Sequence, residues 1–221
     1  MSILSPNCKV ISSIIDNYDS VSPTLIYGNA AAGKTTLCLL ASISAAETGK
    51  VIYVDTENGF SSERFKQLHG KTDALLDKVF LLQPKSFKNQ HDTILSLKRL
   101  CENPAISLVI VDTIGFHYRE EVASNPKEAN QMMAEQMANL VRIGRDLGKI
   151  VLITNQASSK INGSNELNIV GGKLISKFCK VIIELNKIDS DRYATLIKSD
   201  KTQIIKQRRY DIKEKGLFLS D

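Results

Sequence analysis

Gly28-Asn29-Ala30-Ala31-Ala32-Gly33-Lys34-Thr35 fits the pattern G-x-x-x-x-G-K-[ST] at every position. Glycines admit backbone geometries in which successive amide N–H groups surround an anion. A helix opening near Gly33 points the positive end of its dipole at the same place. Lys34 is then placed for the β- and γ-phosphates of ATP, and the Thr35 hydroxyl for Mg²⁺, with Thr36 beside it. A mere Gly/Ala turn into a helix would not need the flanking context that is present. Residues 24–27 form a short apolar run, and 33–48 carry a helical pattern closed by Gly49. Strand, loop and helix stand in the order that phosphate binding requires.

Outward from this loop, residues 51–55, 79–82, 108–112 and 150–154 are further apolar, β-branched runs. Helical patterns separate most of them, notably 87–101 and 127–147. Such alternation predicts an α/β fold: a mostly parallel twisted sheet with helices on both faces. After residue 178 the rhythm changes. Residues 180–185, 192–198 and 208–213 follow one another without helices, which predicts antiparallel strands at one edge. Upstream, Ser5-Pro6-Asn7 reads as a helix start before Val10, Ile11, Ile14 and Ile15. Residues 157–170, rich in Ser, Asn and Gly, read as a flexible loop.

A length of 221 residues suits one domain spanning 1–221, with residues 1–21 as an N-terminal helix and lead-in. No apolar run approaches the ~20 residues that cross a bilayer. The start of the chain lacks a signal peptide's pattern, so a cytoplasmic protein without membrane association is expected. Cys8, Cys38, Cys101 and Cys179 are scattered and read as reduced, packed thiols. The three histidines show no zinc-ligand spacing. A net charge of +5 is too mild to imply nucleic acid by itself. Its distribution says more: residues 198–215 hold seven basic and three acidic side chains.

Two acids complete the candidate site. Leu108-Val109-Ile110-Val111-Asp112 is an apolar strand ending in a carboxylate, at the rim where open α/β sheets bind ligands. Glu57 lies just past the strand that follows the P-loop helix. That place fits a base that polarises water, although a Glu in a surface turn would look the same.

Four blocks in order resemble the RecA/RadA recombinase superfamily, and more closely its short archaeal RadB branch. They are Gly28 to Thr35; Tyr53-Val54-Asp55-Thr56-Glu57 with Phe60 and Ser61-Ser62-Glu63-Arg64; Val109-Ile110-Val111-Asp112-Thr113 with Phe116-His117-Tyr118-Arg119; and Thr154-Asn155-Gln156 before Gly171-Gly172. The resemblance spans about residue 22 to the end and implies a RecA-like P-loop ATPase core. It makes Glu57 the catalytic base and Asp112 the Mg²⁺-shell carboxylate. Gln156 would sense the γ-phosphate and pass its state to the following loop, and Arg64 would stack on adenine.

It further implies a DNA-binding accessory protein of recombination and repair: a weak DNA-dependent ATPase that assists a RadA-type recombinase and can associate with its own kind. Full-length RadA-type recombinases carry an N-terminal helix-hairpin-helix domain and a docking linker, for which the residues before 22 leave no room. The first DNA loop has only Lys127 as a basic residue. Filament formation and strand exchange are therefore not expected. Candidate contacts to DNA, single-stranded in the first instance, are Lys160, Lys198, Lys201, Lys206, Arg208 and Arg209, with Tyr210 available to stack on a base. The alternative is a KaiC-like signalling ATPase of the same fold without a nucleic-acid partner. A non-catalytic adaptor that only binds nucleotide is a third reading.

Overall fold

The computed structural model describes residues 1–70, 73–159, 167–200 and 205–220. Strand β1 (Ile3–Leu4), helix α1 (Lys9–Ser12) and strand β2 (Tyr18–Asp19) precede the first central strand, β3 (Thr24–Gly28). Then come α2 (Lys34–Thr48), β4 (Lys50–Asp55), α3 (Ser62–His69), α4 (Asp73–Leu76), β5 (Val79–Leu82), α5 (Phe87–Cys101) and β6 (Ile106–Asp112). The second half runs α6 (Phe116–Ser124), α7 (Pro126–Leu147), β7 (Ile150–Ser159), β8 (Leu167–Ile169), α8 (Gly172–Ser176), β9 (Val181–Ile188), β10 (Asp191–Lys198), β11 (Gln207–Lys213) and β12 (Gly216–Leu219).

The main sheet has the order β12-β11-β10-β9-β3-β7-β6-β4-β5. From β9 to β5 all neighbours are parallel, whereas β9, β10, β11 and β12 pair antiparallel. Successive strand residues point to opposite faces, so a strand covered on both sides must be apolar throughout. On β4, Val51 and Tyr53 enter the core with α2, while Ile52 and Val54 enter the core with α5 and α7. On β6, Leu108 and Ile110 divide from Val109 and Val111 in the same way. The predicted strands β3, β4, β6 and β7 are therefore the buried centre, β5 is the half-exposed parallel edge, and the antiparallel edge predicted after residue 178 is present.

Two local expectations differ from what is found, and one strand was not expected. The N-terminal helix is only α1, because Asn7 has a φ of 52° and Cys8 is extended. At its other end Ser12 and Ser13 bond back to the carbonyls of Cys8 and Val10, which competes with helix continuation. In the expected loop at 157–170, residues 157–159 instead extend β7 and pair antiparallel with β8, while residues 160–166 lie outside the described residues. Strand β12 escaped the reading because it is four residues long and starts at Gly216, a turn position with a φ of 118°.

All four cysteines are buried free thiols. Among the described residues no helix is long and apolar enough to cross a membrane.

Gly28 ends β3 with Leu185 of β9 on one side and Gln156 of β7 on the other. A Cβ there would meet the Leu185 carbonyl oxygen at 2.0 Å. Gly28→Ala is expected to lower the unfolding free energy by about 1–3 kcal/mol, read from urea denaturation. An unchanged midpoint would mean that β3 and β9 part freely.

Candidate active site

Between β3 and α2 the chain turns through Ala31, at a φ of 57°, and Gly33, at 95°. Gly33 is the N-cap of α2, and a side chain on it would crowd Ile212 and Leu217, both at 3.3 Å. The α2 amides therefore open into a cleft of about 350 Å³, lined from this loop by Ala30, Ala31, Gly33, Lys34, Thr35 and Thr36. Gly28 and Asn29 act from behind: their carbonyls accept the Lys34 ammonium at 3.0 and 2.8 Å. Burial draws the Lys34 pKa below its ordinary value, while Asp112 and Glu57 push it back. Ala32 is buried, and its carbonyl accepts the Tyr210 hydroxyl at 2.7 Å.

The two predicted acids line the opposite wall, together with Asp55. Asp112 is 3% exposed, and both of its oxygens have hydroxyl donors: Tyr53 at 2.7 Å, and Thr154. Glu57 is held at both oxygens too. Thr113 donates to Oε1 at 2.6 Å, and the Gln156 amide donates to Oε2 at 2.7 Å. The loop carrying Glu57 is shaped by Asp55, whose carboxylate accepts the Gly59 and Phe60 N–H groups at 3.0 and 3.1 Å. Beneath both acids, Thr56 Oγ1 donates to the Thr113 carbonyl at 2.7 Å and accepts the Thr113 N–H at 2.9 Å.

The donor set suits Mg²⁺ bound with a polyphosphate. Three carboxylates face one buried lysine across the cleft, an excess of negative charge that a divalent cation would balance. Among the described residues no group of three or more His, Cys, Asp or Glu forms a cage. Mg²⁺ commonly binds through one or two protein oxygens, substrate phosphates and water, so such a cage is not needed. Thr35 and Asp112 fit that role; each Asp112 oxygen keeps a lone pair beyond the hydroxyl it accepts.

Arg64 does not line the cleft. It donates to the carbonyls of Lys213 and Glu214, at 3.2 and 2.6 Å, clasping the turn between β11 and β12. The described basic candidates do not form one surface. Lys198 gives its ammonium to the carbonyls of Cys179 and Ser176, at 2.8 and 3.3 Å. Arg208 is exposed, whereas Arg209 pairs with Asp191 at 2.9 Å. As consecutive β11 residues these two arginines project to opposite faces. Lys206 is half-buried beside Ile14, Ile15 and Asp16. Lys160 and Lys201 lie outside the described residues. Tyr210, expected to stack on a base, is 1% exposed and cannot do so, because its ring fills the core beneath the P-loop.

Sequence reasoning missed Tyr53, Asp55, Thr113 and Thr154. Adjacency to Asp112 and to Glu57 were available signals for Thr113 and Asp55. Nothing local marks Tyr53 or Thr154, which lie 59 and 42 positions from Asp112 along the chain. Tyr53→Phe removes a fully buried donor from Asp112. It is expected to cost about 1–3 kcal/mol of stability in denaturant unfolding; no loss would show that Asp112 keeps its solvation without this bond.

Comparison with known proteins agrees with this geometry. The Rad51 family profile matches residues 5–219. The DNA repair and recombination protein RadB of Methanococcus maripaludis (strain C7 / ATCC BAA-1331) is 36% identical over 206 residues, covering 91% of this chain and 93% of that protein. The RadB of Archaeoglobus fulgidus is 34% identical over 218 residues, 97% of each. A crystal structure of the RadB recombinase superposes with a TM-score of 0.82 at 30% identity, covering 97% of this chain and 98% of that one. With that profile matching residues 5–219 and relatives at 34–36% identity over most of its length, the chain belongs to the Rad51 family.

Proposed function

We propose that the chain is an ATP- and DNA-binding accessory protein of homologous recombination and DNA repair. In this reading it assists a RadA-type recombinase and hydrolyses ATP weakly in response to DNA. The observation that carries the reading is the placement of Lys34, Thr35, Asp112 and Glu57 in one cleft, with Gln156 bonded to Glu57 at the point where β7 runs on towards β8. Relatives named for DNA repair and recombination support the biological setting.

The residues divide the work as follows. The α2 N-terminus and Lys34 bind phosphate oxygens. Glu57 takes a proton from a water molecule as that oxygen bonds to the γ-phosphorus and the bond to the β-phosphate oxygen breaks, leaving ADP and phosphate. Thr113 and Gln156 keep the carboxylate of Glu57 directed into the cleft. Thr35 and Asp112 would hold Mg²⁺, which would supply neutralisation of phosphate charge. Arg64 clasps the β11–β12 turn through the edge of its guanidinium, which leaves the face of that plane as the surface that would stack on adenine. Of the described basic candidates, Arg208 is the one most open to a DNA phosphate.

Binding to labelled single-stranded DNA across a salt series, with ATP and with Lys34→Ala as control, tests the DNA part. Affinity that falls with salt and responds to nucleotide in the wild type, but not in Lys34→Ala, is the expected result. Nucleotide binding without DNA affinity at low salt would instead favour a signalling ATPase. For the chemical part, Glu57→Gln is expected to lower kcat by about 10²–10⁴-fold while leaving ATP binding intact. Undiminished turnover would remove Glu57 from the mechanism.

A further inference from the structure

A chain of hydrogen bonds leads from the surface to the candidate base. The guanidinium of Arg119 donates through Nη2 to Gln156 Oε1 at 3.2 Å, and Gln156 Nε2 donates to Glu57 Oε2 at 2.7 Å. We infer that Arg119 is a positioning residue for Glu57, acting through the side-chain amide of Gln156. The inference rests on the reading of Glu57 as the base and adds the group that orients it.

The argument is one of direction. A glutamine amide has a donor end and an acceptor end, whereas a guanidinium only donates and a carboxylate only accepts. Facing Arg119 on one side and Glu57 on the other, Gln156 has one favourable orientation: oxygen to the arginine, nitrogen to the glutamate. The flipped amide would set N–H against N–H and oxygen against oxygen. Without Arg119, no other donor among the described residues holds the amide oxygen, and the bond to Glu57 loses its pre-set orientation. The second restraint on Glu57, from Thr113, would then act alone.

Rigid elements deliver Arg119 to this place. It follows Tyr118, whose ring is 3% exposed and packs on Phe87 and whose hydroxyl donates to Asn130 Oδ1 at 2.7 Å. These contacts fasten α6 to α5 and α7. Gly115, which opens α6, lies so close to Asn155 that a Cβ would meet its Oδ1 at 2.4 Å. The close approach sets the start of α6 against β7 next to Gln156. Asn155 in turn accepts the Gln156 N–H at 2.9 Å and donates to the Val170 carbonyl at 2.8 Å, which steadies the strand end that bears the amide. A surface arginine with one exposed hydrogen bond would ordinarily contribute little to stability. Its importance here lies in the orientation it imposes, which turnover reads and stability does not.

The full chain tests this with Arg119→Ala, Arg119→Lys, Gln156→Ala, the Arg119→Ala/Gln156→Ala double variant and Glu57→Gln. ATP binding is measured by direct titration, and kcat and KM by Mg²⁺-ATP hydrolysis in the presence of single-stranded DNA. Arg119→Ala should lower kcat by roughly tenfold with nucleotide affinity unchanged, and Arg119→Lys, still a donor, should recover part of the loss. The double variant should turn over no more slowly than Gln156→Ala alone, because the arginine acts only through the amide. Full activity in Arg119→Ala while Glu57→Gln is impaired would overturn this inference alone, as would losses that add in the double variant. Equal turnover in wild type and Glu57→Gln, or none in either, would overturn the base assignment and this inference with it.

Discussion

Two threonines join the ends of β4 and β6. Thr56 and Thr113 exchange a hydroxyl–carbonyl and an N–H–hydroxyl bond, and the Thr56 N–H reaches the Asp112 carbonyl at 3.0 Å. The parallel ladder between these strands ends at Asp55 and Asp112, so the threonines extend the pairing by side-chain bonds where the backbone ladder stops. Glu57 and Asp112 thereby belong to one hydrogen-bonded wall. Thr113 adds its hydroxyl to Glu57, so the staple that fixes the wall also aims one of its acids. Buried polar groups without partners cost free energy, and this rim satisfies its groups mutually rather than with solvent.

The opposite wall depends on the antiparallel extension. Because β9 pairs with β3, the strands β10, β11 and β12 continue the sheet past the P-loop and return to it. Tyr210 supports the loop from below at Ala32, Ile212 lines the cleft, and Leu217 packs near Gly33. Arg64, on α3, clasps the turn of the same hairpin. A segment that reads in the sequence as a basic edge is thus partly a structural support of the nucleotide site. The positive charge concentrated there is spent in part on carbonyls and on Asp191, which reduces what remains for an anionic partner.

Much of the fold was legible because its central strands are covered on both faces. Uninterrupted apolar runs such as 108–112 and 150–154 can satisfy that environment and few others. Legibility failed where short-range bonds prevail. Serine hydroxyls cut α1 to four residues, and residues 157–159, which read as loop, turned out to extend β7 and pair with β8 through their backbone, which composition does not reveal. Within the site, Lys34 and Thr35 were legible because phosphate binding by a P-loop is local: a turn and the first residues of one helix suffice. Tyr53 and Thr154 were not, since their role is to donate to an acid on a different strand.

The sequence by itself determined the phosphate-binding loop, the two strand-end acids, the alternation that makes the sheet parallel and the change of rhythm that makes its edge antiparallel. Each of these is carried by the pattern of a contiguous stretch. Tertiary structure alone decided that Asp112 has two hydroxyl donors, that Arg64 faces the β11–β12 turn, that Arg208 and Arg209 divide between two faces, and that Glu57, Gln156 and Arg119 form a single line of hydrogen bonds. Those outcomes follow from strand order, and strand order brings together residues far apart along the chain, as Arg64 and Glu214 are at 150 positions and Ala32 and Tyr210 at 178. A local pattern carries no information about which distant side chain will complete its hydrogen bonds; packing of the sheet supplies it.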